Sequence, residues 1–284
     1  MILVTGSTGT IGREAVRLLA GRGLPTRALV RDAARAPGDR SWSGAEIAVG
    51  DFDRPDTLDA ALRGTDTVLL ISPSVPAQEI AVIDAAVRQG VRHIVKITNH
   101  KATAGSPVAR RRDHARIEEH LRAVGLPHTL LAPNLLMQNL FALAATVQET
   151  DGFVMSAGEG RCGMVDARDV SAAAAAVAAA PSAHEGRTYL LTGPELVSYA
   201  DVTAGLTQVL GRTIAYRRIT PAEHREAMIA AGLPEPVATS NAQVFGLIAE
   251  GDAAWLSEDV TTLTGTRPRS LRTFLRDTAA AFTR

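Results

Sequence analysis

From its amino terminus the chain alternates short apolar runs with amphipathic stretches. The runs Ile2–Thr5, Thr26–Val30, Glu46–Val49, Thr67–Ile71, His93–Ile97 and His128–Leu131 predict six strands. The spacing of apolar positions between them predicts helices over Gly12–Gly21, Pro55–Leu62, Ala77–Gln89 and Arg111–Val124. Gly23-Leu-Pro, Gly90-Val and Gly125-Leu-Pro fit helix-to-strand turns. Strands that alternate with helices pair in parallel and are covered on both faces. The pattern therefore predicts an α/β fold, a Rossmann-type doubly wound parallel sheet with a ligand crevice at the strands' carboxyl ends.

After Pro133 the rhythm changes. Asn134–Val147 reads as an apolar helix, Phe153–Ser156 as a short strand, Asp166–Ala180 as an alanine-rich helix and Tyr189–Thr192 as another strand. From Pro194 onward helices predominate, over Ser198–Leu210, Pro221–Ala231, Pro236–Glu250 and Ser270–Ala281. The simplest organisation is a dinucleotide-binding core over 1–192, with part of the substrate cleft coming from 134–165, and a small, mainly helical substrate lobe over 193–284.

The first strand runs directly into Gly6-Ser-Thr-Gly9-Thr-Ile-Gly12, and an amphipathic helix comes next without a break. In that setting the three glycines serve different ends. Gly6 permits the tight turn, Gly9 lets the backbone approach a pyrophosphate, and Gly12 lets helix and strand pack closely. Backbone N–H groups over Thr8 to Ile11, at the positive end of the new helix, are donors for the phosphates. Arg31 follows the second strand, where an acid normally accepts from a ribose 2′-OH and an arginine neutralises a 2′-phosphate. NADPH is thus expected rather than NADH, with a solvated surface arginine as the plainer alternative. Asp32 could serve NADH, although turn or helix-start chemistry suits it better.

Composition narrows the field. Lys+Arg and Asp+Glu are equal at 30 each, which gives no field to attract nucleic acid or an anionic membrane. Lys96 and Lys101 are the only lysines, so few amines are available to catalysis. Cys162 is the only cysteine, which excludes an internal disulfide and a multi-cysteine metal site; Asp166 and Asp169 resemble a metal pair only superficially. No secretion signal is visible at the start, and the Ala172–Ala180 run is too short to span a bilayer, so a cytoplasmic protein acting on a small molecule is expected.

Taken together, these segments resemble the NmrA-like group of atypical short-chain dehydrogenase/reductases, which includes NADPH-dependent quinone reductases and triphenylmethane-dye reductases. The resemblance rests on Val4-Thr-Gly-Ser-Thr-Gly-Thr-Ile-Gly12, Arg27-Ala-Leu-Val-Arg-Asp32, Gly50-Asp-Phe-Asp53, Leu70-Ile-Ser-Pro73, Leu131-Ala-Pro-Asn134, Met137-Gln-Asn139, Val165-Asp-Ala-Arg-Asp169 and Tyr189-Leu-Leu-Thr-Gly-Pro194. It implies that Asp51 and Phe52 flank the adenine, although Asp51 also reads as an ordinary loop acid. It further implies that Ile71, Ser72 and Pro73 pass the cofactor's ribose, and that Thr98 and Asn99 lie near the nicotinamide ribose. Pro133 and Asn134 would orient the carboxamide through backbone groups.

Ordinary members of the superfamily use a tyrosine and, four residues later, a lysine on one helix face. By the resemblance Arg110 and His114 stand there instead, so the usual proton donor is missing. His114 shares a helix face with Glu118. An imidazole paired with that carboxylate could hold the ribose or deliver a proton near neutral pH, unless the pair lies on the surface without chemistry. Lys101 is a weaker alternative donor. For substrate contacts Met137, Asn139, Phe141, Phe153 and Phe245 are candidates, with core packing equally open to the apolar ones; Asn139 leads because a buried amide needs partners.

The expected function is an NADPH-dependent oxidoreductase of a small quinone, aromatic or enone acceptor. Such acceptors take hydride to give stable products without a placed acid. The alternatives are a non-catalytic NAD(P) sensor that acts on a partner protein and a non-redox isomerase or cyclase using the same cleft. A monomer or a homodimer suits the sequence.

Overall fold

The computed structural model describes residues 1–37 and 40–284. In chain order its first elements are β1 (Ile2–Val4), α1 (Thr10–Gly21), β2 (Thr26–Val30), β3 (Ala45–Val49), α2 (Leu58–Leu62), β4 (Thr67–Leu70), α3 (Pro76–Arg88), β5 (His93–Ile97), α4 (Ala109–Ala123) and β6 (His128–Pro133). Then come α5 (Ala144–Thr150), β7 (Gly152–Met155), β8 (Arg161–Cys162), α6 (Ala167–Ala179), β9 (Thr188–Leu191), β10 (Val197–Ser198), α7 (Tyr199–Leu210), β11 (Ala215–Arg218), α8 (Pro221–Ala230), α9 (Glu235–Ala249), α10 (Asp259–Thr264) and α11 (Leu271–Asp277). No helix among the described residues is long and apolar enough to cross a membrane.

The chain divides into two compact units, neither continuous in sequence. The first comprises Met1–Pro133, Ala167–Leu190 and Asp259–Thr266; the second comprises Asn134–Asp166, Leu191–Glu258 and Arg267–Arg284. The second thus takes in Asn134–Asp166 from inside the segment 1–192.

In the first unit seven strands form one sheet in the order β3-β2-β1-β4-β5-β6-β9. β1 pairs in parallel with both β2 and β4, and the parallel register continues through β3, β5 and β6. Strands β1 and β4 are buried throughout because helices cover both faces, which explains their unbroken apolar sequence. The sheet has one strand more than the six predicted from the first half of the chain: the Tyr189–Thr192 strand is β9, beside β6. The strand order reverses between β1 and β4, the position at which doubly wound sheets bind ligands.

The second unit is built around Met137, Phe153, Met155, Tyr199, Phe274 and Phe282, with Cys162 buried among them. Ser198 and Thr220 begin α7 and α8 with capping boxes, each side chain accepting from the backbone N–H three residues on. The helix expected over Asn134–Val147 takes another form. The backbone bends at Leu135, is extended at Leu136, makes a short 3-10 helix over Met137–Leu143, and only then enters α5. The cause is a competing partner: Leu136 bridges to Val165, and the Met137 amide donates to the Val165 carbonyl at 2.9 Å. Similarly, the helix expected over Ser270–Ala281 ends as α11 at Asp277, and a 3-10 turn over Ala279–Phe282 comes after it.

Candidate functional site

The bend between β1 and α1 is fastened to the ends of two neighbouring strands. The Thr5 hydroxyl donates to the Ile71 carbonyl at 2.9 Å and accepts from the Ile71 amide at 2.8 Å. The Ser7 hydroxyl donates to the Leu29 carbonyl at 2.5 Å. Gly6 has φ +55°, and a Cβ there would stand 2.5 Å from the Ile71 carbonyl oxygen. At Gly12 a Cβ would stand 2.3 Å from the Gly6 carbonyl oxygen, so helix and bend meet backbone to backbone. Gly9 is less confined, with the nearest atom 3.3 Å from its Cβ position. Gly9 is the N-cap of α1, and no side chain caps that end. The first-turn amides of Thr10, Ile11 and Gly12 therefore lack an intrahelical acceptor and carry the positive end of the helix dipole.

A cavity of about 620 Å³ opens over this bend at the reversal of strand order. Gly6, Thr8, Gly9, Arg31, Asp51, Phe52, Ile71, Ser72 and Pro73, all foreseen for the cofactor, line it together. Arg35 and Gln78 line it as well and were not foreseen. Arg35 arrives through a local device: Asp32 Oδ1 accepts from the Ala34 amide at 3.0 Å and starts a 3-10 turn over Ala33–Arg35. Asp32 thus has the helix-start role, and the four-residue spacing from Arg31 to Arg35 is the signal that could have found the second arginine. On the opposite wall Asp51 Oδ1 accepts from the Asp53 amide at 3.1 Å, and Gln78 Nε2 donates to Asp53 Oδ1 at 2.8 Å.

Thr98, Asn99 and His114 belong to a second constellation, at the carboxyl end of β5 and along α4. Its centre is Lys96, whose side chain is fully buried. The Lys96 ammonium donates to Glu79 Oε2 at 2.5 Å and to the Ile97 carbonyl at 3.0 Å, and it stands 3.4 Å from His114 Nδ1. His114 Nε2 is 2.8 Å from the Ser74 hydroxyl. The pair expected between His114 and Glu118 does not form. Glu118 accepts instead from the Thr98 hydroxyl and, at 2.8 Å, from Arg122. Asn99 Oδ1 accepts from Arg111 Nε at 3.4 Å.

Burial, reinforced by the charges of Lys96 and Arg110, lowers His114 to about 3. The imidazole is therefore neutral at pH 7 and holds no imidazolium proton to deliver, contrary to the expectation of an acid active near neutrality. Burial also pulls the Lys96 ammonium below its ordinary value, against the opposing pull of Glu79. Lys101, the other lysine, is exposed and sits at φ +61° in the loop after β5. The sequence did carry a signal for Lys96, a charged residue set among Ile94, Val95 and Ile97 of a buried strand.

Pro133 ends β6. The Asn134 amide donates to the Leu191 carbonyl at 2.9 Å, its side-chain nitrogen donates to the Ala253 carbonyl at 3.0 Å, and its Oδ1 accepts from the Leu135 amide at 2.7 Å. The substrate candidates all lie in the second unit. Met137 and Phe153 are buried in its core, where Phe153 stacks on Tyr216 with centroids 5.5 Å apart. Phe245 packs against His224, and Phe141 lies against Phe274 while keeping 39% exposure. Asn139 is exposed, so the burial that favoured it is absent.

Comparison with known proteins agrees with this architecture. The sequence profile of the NmrA-like family matches residues 1–271. The chain is 39% identical to the NAD(P)H azoreductase of Xenophilus azovorans over 285 residues, which cover 99% of each protein. The NADPH-dependent quinone oxidoreductase of Escherichia coli, solved with NADPH, matches with a TM-score of 0.88 at 28% identity, covering 98% of this chain and 99% of that one. The Citrobacter triphenylmethane reductase, solved with NADP(H), gives a TM-score of 0.85 at 27% identity, covering 96% and 98%. From its glycine bend to α11, the chain belongs to the NmrA-like family.

Proposed function

We propose that the protein is an NADPH-dependent oxidoreductase that reduces a small conjugated acceptor of quinone, azo or enone type. The observation that carries this reading is the glycine bend, a cradle with no room for a Cβ at Gly6 or Gly12, which opens on a cavity rimmed by Arg31 and Arg35. The residues present fit the dinucleotide. The uncapped amides at the start of α1 bind its pyrophosphate, Arg31 and Arg35 neutralise the 2′-phosphate, and Asp51 and Phe52 accept from and stack on the adenine. Bound NADPH supplies the hydride, from its nicotinamide C4.

The chain's own groups limit how a product anion could be protonated. His114 is neutral, Lys96 is held by Glu79, and Glu118 is held by Thr98 and Arg122. None of them is poised to protonate an alkoxide. Reduction of an unactivated ketone makes a strongly basic alkoxide and needs such an acid. A quinone or enone acceptor gives a phenolate or enolate oxygen far less basic than an alkoxide, which water can protonate afterwards, so positioning suffices. The azo, quinone and triphenylmethane reductases among its relatives fall in the same class.

The test is to titrate the purified protein with NADPH and NADH, then monitor nicotinamide absorbance with a panel of quinones and azo compounds. Arg31→Ala should weaken NADPH binding about 10- to 100-fold and leave NADH within about twofold, while equal weakening of both rejects the phosphate clamp. Tight NADPH binding with no oxidation by any acceptor would instead favour the sensor.

A further inference from the structure

The segment Ile71–Val75 forms one wall of the cavity through Ile71, Ser72, Pro73 and Val75. Its conformation is not relaxed. Ser74 has φ +67°, a left-handed backbone that a non-glycine residue adopts only when its surroundings impose it. Two ties impose it here. The Ser74 amide donates to Ser72 Oγ at 3.0 Å, and the Ser74 hydroxyl meets His114 Nε2 at 2.8 Å. Ser72 is held in turn, donating to Glu79 Oε1 at 2.6 Å. Behind both serines lies the Lys96–Glu79 pair, 0% and 1% exposed. An ammonium can only donate, so Lys96 makes His114 Nδ1 the acceptor and leaves the proton on Nε2, directed at Ser74.

A buried ion pair is a poor source of stability, because desolvation offsets its attraction and an apolar pair of similar volume often serves as well or better. Stability therefore does not account for this one; its connections do. We propose that Lys96 and Glu79 are positioning residues for dinucleotide binding: through Ser72, and through His114 and Ser74, they hold the Ile71–Val75 wall in its receiving shape without touching the ligand. The inference rests on the reading of the cavity as the NADPH site.

Two variants test it, each measured for NADPH Kd by fluorescence titration and for Tm. Lys96→Met/Glu79→Leu removes both charges together and should keep Tm within a few degrees of wild type or raise it, while Kd rises about tenfold. Ser74→Gly leaves the pair intact, accepts positive φ without strain, and loses only the tie to His114. Its Kd should rise about fivefold with Tm held, and it carries the test alone if the double variant does not fold. Wild-type Kd in both variants overturns the inference, as does a Kd that rises only in step with a falling Tm. Wild-type protein that fails to titrate with NADPH brings down the functional reading as well, an outcome distinct from variants that bind like wild type.

Discussion

The glycine bend and the Lys96 network lie on either side of Ile71, and both shape the same cavity. The bend does so by omission: Gly6 and Gly12 bring backbone within reach of backbone, and no side chain other than hydrogen can occupy either place. The network does so by mutual satisfaction, with Glu79 holding Ser72 and Lys96, and His114 holding Ser74. Where backbone grips a ligand, space dictates each residue. Where a wall is braced from behind, the charges need only satisfy one another, and another set could replace them together but not singly.

The sharpest way to break this contrast is to remove one charge. Lys96→Met should leave the buried Glu79 carboxylate without its cation and lower unfolding free energy by about 3–5 kcal/mol in urea denaturation, most of which Lys96→Met/Glu79→Leu recovers. If the single variant is as stable as wild type, the pair is not a balanced unit. On the other side of Ile71, Gly12→Ala should lower stability by roughly 1–3 kcal/mol and abolish measurable NADPH binding, since the bend has no flexible neighbour that can yield. Retained binding would mean that the backbone contact at Gly12 is not required.

Taken per pH unit, the smallest effect is the pH dependence of stability. The folded value of His114, about 3, lies below its unfolded value of 6.5. Between those values the unfolded chain holds more protons, so the contribution is complete above pH 6.5 and is lost as pH falls toward 3. The loss is about 1 kcal/mol per pH unit. His93 and His224 are also lowered by burial and add slopes of the same sign. The difference between wild type and His114→Gln isolates the His114 part, and identical slopes would contradict a neutral buried ring.

The two regions also differ in how far they could be read before folding. The bend was legible because Gly6, Gly9 and Gly12 are neighbours in sequence, and a strand before them with a helix after them defines their roles. Arg31 was legible for the same reason, and Arg35 one turn later was within reach. Lys96 and Glu79 are 17 residues apart, and their contact depends on how β5 packs against α3, which no local spacing encodes. His114 and Glu118 share a helix face, yet Arg122, four residues further on, and Thr98 claim the carboxylate. In the second unit the expected Asn134–Val147 helix gave way to Val165, a backbone partner too distant to anticipate.

Cys162 lends itself to a use of another kind. It is the sole thiol of the chain, it is completely enclosed, and burial pushes it up to about 12, so almost no reactive thiolate exists in the closed molecule. An alkylating reagent can capture it only during excursions that bare the core of the second unit. The capture rate thus times those openings in unlabelled, unmutated protein, and its change on adding a nucleotide to the first unit would report whether the two halves breathe independently.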